Sequence, residues 1–184
     1  MMTPPSLSRR GFSITTVSAL TALGVAGAAR PDVPTSADSL GISNSNSAIH
    51  QDVIFKASPD RVYRALTDPE LFDKVVLASG ALQAMSLART PTQISAEPGG
   101  AFSLFGGYIT GRHLEMSPGV RLVQAWRSDS WPPQIFSIVR FELSAHPDGA
   151  KLSFDHTGFP NDDARSLATG WRQHYWEPLA KVLA

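Results

Sequence analysis

The stretch from about Asp162 to the C-terminus constrains the fold most, because it is the one amphipathic helix long enough to cover a sheet. At about 100° per residue, Ala164, Leu167, Ala168, Trp171, Tyr175, Pro178, Leu179 and Val182 share one third of the wheel. Arg165, Ser166, Thr169, Gln173, Glu177 and Lys181 fall elsewhere. Asn161 or Asp162 can cap this helix, and Asp163 suits its positive end. Pro178 lacks an amide hydrogen and crowds the carbonyl of His174, which predicts a kink. Trp176 lies about 180° from Leu167, outside the stripe, and is expected on the small helices, the N-terminal tether or a partner.

What that helix must cover is β-structure. Strands are predicted at Ala101 to Phe105, Tyr108 to Met116, Arg121 to Arg127, Ile135 to Ala145 and Ala150 to Gly158. The turn sequences "EPGG", "SPGV" and "HPDG" separate β-rich runs, Pro presetting one dihedral and Gly supplying the unusual one. Gly106-Gly107 interrupts a strand-like run and predicts a bulge or sharp coil. Upstream, His50 to Ala57 alternates with Gln51, Val53 and Phe55 on one face. Ser58-Pro59 and Asp68-Pro69 then each open a short helix by the same capping device. The predicted class is α+β: a helix-grip domain over residues 48–184, with a curved antiparallel sheet of about six strands wrapped on the C-terminal helix and two short helices after strand 1.

Composition excludes several chemistries. The 184 residues are 42% hydrophobic and 17% charged, enough for one domain with a sizeable core. Net charge is zero and no basic run occurs, so no nucleic-acid partner is expected. The absence of cysteine rules out disulfides, thiolate zinc sites and thiol nucleophiles.

Residues 1–28 read as an export signal. Ser8-Arg9-Arg10-Gly11-Phe12 precedes an uncharged, moderately apolar stretch, and Ala26-Gly27-Ala28 fits a cleavage site. The paired arginines resemble the twin-arginine signal for export of folded proteins, although Ser13 departs from that pattern. The expectations are passage through that machinery, a periplasmic or secreted location, and no stable membrane insertion after cleavage. Residues 29–47 are rich in Pro, Asp, Ser, Asn and Gly and read as a flexible tether.

Three stretches carry a family resemblance: "VIFKASPDRVYRALTDPE" from Val53, "YITGRHLEMSPGVRLVQAWR" from Tyr108, and "VRFELSAHPDGAKLSFDHTGFP" from Val139 followed by "GWRQHYWEPL". In this order and spacing the chain resembles the activator of heat-shock protein 90 ATPase homologue family, of the START-like or SRPBCC superfamily. The resemblance implies a hydrophobic cavity between sheet and terminal helix. "FDKVV" at Phe72 departs from the tryptophan many relatives carry there. Chaperone activation is discounted, because an exported chain would not meet that chaperone.

The histidines are His50, His113, His146, His156 and His174, and none has metal-ligand spacing; no metal or cofactor is implied. His156 shares strand parity with Leu152 and Phe154 and is expected to point inward, with Asp155 outward. Two readings of it stay open: a satisfied interior histidine, or a ligand contact or acid/base group. No serine stands in a nucleophile motif, and neither glycine pair makes a phosphate loop. If the curved sheet leaves a void, Phe105, Tyr108, Trp126, Val139, Phe141, Phe154, His156, Trp171 and Tyr175 are the expected walls. The leading expectation is non-catalytic binding of a small lipophilic or aromatic ligand, with His156 or Tyr108 orienting its polar end. The alternatives are a cyclase, dehydratase or hydrolase using His156, and an interaction module using Trp176 with Phe136 and Ile138 on the outer sheet face.

Overall fold

The computed structural model describes residues 48–86, 90–160 and 164–184. The expected signal, the tether and the N-cap of the terminal helix lie outside them. β1 (Ala48–Phe55) leads into α1 (Pro59–Thr67), α2 (Pro69–Ala78) and a short α3 (Gly80–Ala84). β2 (Gln93–Ile94), β3 (Ala101–Leu104), β4 (Ile109–Ser117), β5 (Arg121–Ser128), β6 (Ser137–His146) and β7 (Gly149–Thr157) follow, then α4 (Ala164–Trp171) and α5 (Glu177–Leu183). The sheet is antiparallel throughout, in the order β1-β7-β6-β5-β4-β3-β2. It thus has seven strands rather than about six. The extra one, β2, is two residues long, too short for alternation to reveal.

Local chemistry accounts for the helices. Ser58 accepts from the Arg61 amide, Asp68 from Leu71 and Ser79 from Leu82, so each side chain satisfies an orphan N–H of a first turn. α1 buries Val62, Tyr63, Ala65 and Leu66, and α2 buries Phe72, Val75 and Val76. α5 packs on both of these helices. The one-turn α3 escapes sequence reading because glycine follows its cap. Gly106-Gly107 does break the strand run, through a single 3-10 turn over Phe105–Gly107 with positive φ at all three residues. The bend therefore starts at Phe105, one residue earlier than the glycines suggest, and turns its ring into the core.

The terminal helix is not uniform. Between α4 and α5 the residues Arg172–Trp176 form a π turn, with the Glu177 amide donating to the Arg172 carbonyl. This wide turn sits immediately before Pro178 and replaces the expected simple kink. It adds one residue to the local repeat, about 100° of rotation, and so brings Trp176 inside. Trp176 is buried, stacked on Trp171 at 5.5 Å between ring centroids and edge-on to Phe154 at 5.1 Å. Trp176 is thus a core residue rather than a partner contact, while the tether lies outside the described residues. Gln51 of β1 fixes the arrangement, accepting from Trp176 Nε1 and donating to the Ala168 carbonyl at 2.9 Å.

Candidate functional site

The terminal helix is tightly packed at one end only. Leu179 and Leu183 of α5 are fully packed, whereas Ala164, Leu167 and Ala168 of α4 are only partly covered. Beneath α4 lies a cavity of about 900 Å³, open to solvent on one side. That volume suits a drug-sized molecule. Its apolar walls come from α3 (Leu82), the 3-10 turn (Phe105), β4 (Ile109), β5 (Trp126), the β5–β6 loop (Trp131) and α4 with the π turn (Leu167, Trp171, Tyr175). Its polar parts are Ser128, Ser130, Arg165, Ser166, Thr169, Gln173 and His174.

Of the residues expected as walls, Phe105, Tyr108, Trp126, Trp171 and Tyr175 line this cavity. Tyr108 is 40% exposed and stands at the rim. Val139, Phe141, Phe154 and His156 are not in its lining and lie buried in the core. Phe154 lies 4.4 Å from Trp171 between centroids, and Phe141 lies 5.3 Å from Phe154, so rings fill the space between sheet and helix there. Trp131 was missed. It follows no strand periodicity and precedes Pro132-Pro133, yet it is buried edge-on to Trp126 at 5.3 Å, its carbonyl accepting from Arg127 at 3.0 Å.

His156 is inward, as parity predicted, and saturated. Nδ1 accepts from Trp171 Nε1 at 3.0 Å, which fixes the proton on Nε2. Nε2–H then donates to Ser137 Oγ at 2.7 Å, and Ser137 donates onward to the Trp126 carbonyl at 3.0 Å. Burial pushes its pKa down to about 3. A general base must reach a substrate proton, and this ring has no lone pair to offer one. The satisfied interior histidine is therefore the reading the geometry supports. Asp155 faces outward, between Arg140 and His50, each at 2.7 Å.

Three polar atoms of the described lining residues are not satisfied. Trp126 Nε1 and Tyr175 Oη are sealed from solvent without a hydrogen-bond partner. Burial raises the Tyr175 pKa, and the Trp126 indole offsets part of this, although the two fall short of hydrogen-bond geometry. His174 Nδ1 is likewise enclosed and unpaired; burial lowers its pKa and Glu177 opposes the shift. Among the described residues no His, Asp or Glu group could hold a metal ion. On the outer sheet face Phe136 and Ile138 are exposed, but the interaction reading loses Trp176.

Known proteins share this architecture. Activator of 90 kDa heat shock protein ATPase homolog 1 of Homo sapiens is 26% identical over 128 residues, 70% of this chain and 34% of that protein. Homolog 2 of Mus musculus is 24% identical over 144 residues, 78% of this chain and 40% of that protein. The chain thus spans between a third and two fifths of these relatives' length. Among solved structures, an HSP90 activator from Plasmodium falciparum aligns with a TM-score of 0.60 at 21% identity, covering 74% of this chain and 94% of that one. Protein CV1439 from Chromobacterium violaceum aligns with a TM-score of 0.57 at 26% identity, covering 74% and 96%. Residues 56–184 match the family described as Activator of Hsp90 ATPase homolog 1-like protein, and the chain belongs to that family.

Proposed function

We propose that this domain binds a small hydrophobic or aromatic molecule in the cavity under α4. The observation that carries the reading is the 900 Å³ space itself, walled by Phe105, Trp126, Trp131, Trp171 and Tyr175. Protein interiors are close-packed, and an apolar void of this size forfeits contacts that collapse of the helix onto the sheet would recover. An apolar guest supplies those contacts. Binding then draws on burial of apolar area and on offset or edge-on ring stacking. Export through the twin-arginine route belongs to the same proposal and would place the domain in the cell envelope.

The relatives' names assign chaperone ATPase activation to those proteins, and the cavity needs no such partner. Native mass spectrometry of the protein purified from its own envelope fraction is the decisive test. A co-purified small molecule released on denaturation is the expected result. A mass equal to the bare chain, with no quenching of tryptophan emission by aromatic probes, would end the reading.

A further inference from the structure

Gly170 is the residue on α4 whose presence has no local explanation. Glycine is among the poorest helix formers, since it has the most backbone freedom to lose. It is warranted where φ is positive or where a neighbour leaves no room for a Cβ. Neither holds at Gly170. Its φ is not positive, and among the described residues a Cβ built there meets only His174 Cδ2, at 3.9 Å, an ordinary van der Waals contact. Gly111 shows the contrast: a Cβ there would stand 2.1 Å from the Ala125 carbonyl and 2.3 Å from the Phe102 ring. Gly170 borders the cavity, so what its missing side chain leaves is cavity space.

The charge of the lining points the same way as its shape. Arg165 lies one and a half turns before Gly170 on α4 and reaches the cavity. Among the described residues it has no ion-pair partner and no carboxylate lines the cavity. Asp129 and Glu177, from adjoining segments, face Arg127 and Arg172, each at 3.8 Å. Among the described residues, the cavity therefore joins an aromatic interior to a rim whose charged side chain is Arg165.

Resting on the binding function proposed above, we infer that the ligand class is an aromatic acid, its ring body over Gly170 and its anionic group at Arg165. Gly170 is then the residue that sets ligand size, and Arg165 the one that selects charge.

Two fluorescent probes with the same body separate these statements. 1-Anilinonaphthalene-8-sulfonate carries an anionic group, and N-phenyl-1-naphthylamine is its neutral counterpart. At low salt the wild-type protein should bind the anionic probe about tenfold more tightly, the scale of one charge-assisted contact. Arg165→Gln should remove that preference while leaving the neutral probe unchanged. Gly170→Leu should weaken both probes at least tenfold with a melting temperature no lower than wild type, whereas Gly170→Ala should weaken them little. Equal binding of both probes, or an Arg165→Gln variant that keeps the preference, overturns the anionic assignment and leaves the cavity reading standing. A folded Gly170→Leu that binds both probes normally, or one that fails to fold, overturns the placement over Gly170. Failure of the wild type to bind either probe strikes the binding function itself.

Discussion

His156 and Tyr175 sit one layer apart and make opposite use of a buried polar group. His156 has both nitrogens engaged and stays neutral in the fold, so the unfolded chain takes up its proton first as pH falls below 6.5. Its contribution is whole above pH 6.5 and is lost progressively as pH falls towards about 3. The slope reaches about 1.4 kcal/mol per pH unit. Burial lowers the pKa of His113 and His174 too, which adds to the same limb, while exposed His50, raised by its bond to Asp155, opposes it. Urea unfolding between pH 4 and 7, roughly the window of the histidine shifts, should show this acid limb, and His156→Gln should flatten it. Tyr175 has an enclosed hydroxyl with no partner. Tyr175→Phe should therefore raise unfolding stability by about 1 kcal/mol, measured by the same titration. A loss of stability would mean that the hydroxyl is satisfied after all.

At the scale of elements, the π turn decides which rings reach the interior, and Gln51 pins that turn to the edge strand. Gln51 bonds to the Ala168 carbonyl on one side of the turn and to the Trp176 indole on it. Removing the amide leaves both groups short of a partner in a part-buried setting. Gln51→Ala should lower stability by about 1–3 kcal/mol, and Trp176 emission should shift to the red as its indole seeks water. The 3-10 turn at Phe105 performs a comparable service on the sheet side. Its left-handed φ of 53° is one a non-glycine residue adopts rarely. In that conformation the ring sits 5.7 Å from Phe72 and 5.3 Å from Tyr175. Both irregularities border the same cavity, so these two departures from regular structure meet where the space is left open.

For the whole molecule, the cavity is the place where shape is kept at the expense of packing, and Gly170 measures that balance. Gly170→Ala should raise stability by about 1 kcal/mol through helix propensity alone, read from the thermal midpoint. A destabilised variant would show that the glycine serves the backbone rather than the cavity. Much of the architecture is legible in the sequence. Alternation, turn chemistry and caps specify the strands, their order and the helices that follow β1, because each depends on neighbours close in sequence. Strand parity placed His156 inside, and helical spacing placed Trp171 and Tyr175 toward the sheet. What periodicity cannot carry is the distance between elements: it turns Val139, Phe141 and Phe154 toward the helix exactly as it turns Trp126, although rings fill the gap beside the first three and the cavity opens beside the last. Nor does a fixed 100° step foresee a π turn, so Trp176 was misplaced, and Trp131, in a proline loop without a period, gave no signal at all. The sequence by itself determined which faces are apolar and what lies between them in order. Only the tertiary structure decided where helix and sheet part, because that separation is set by the combined volume of side chains from five or more elements that meet only in the folded chain.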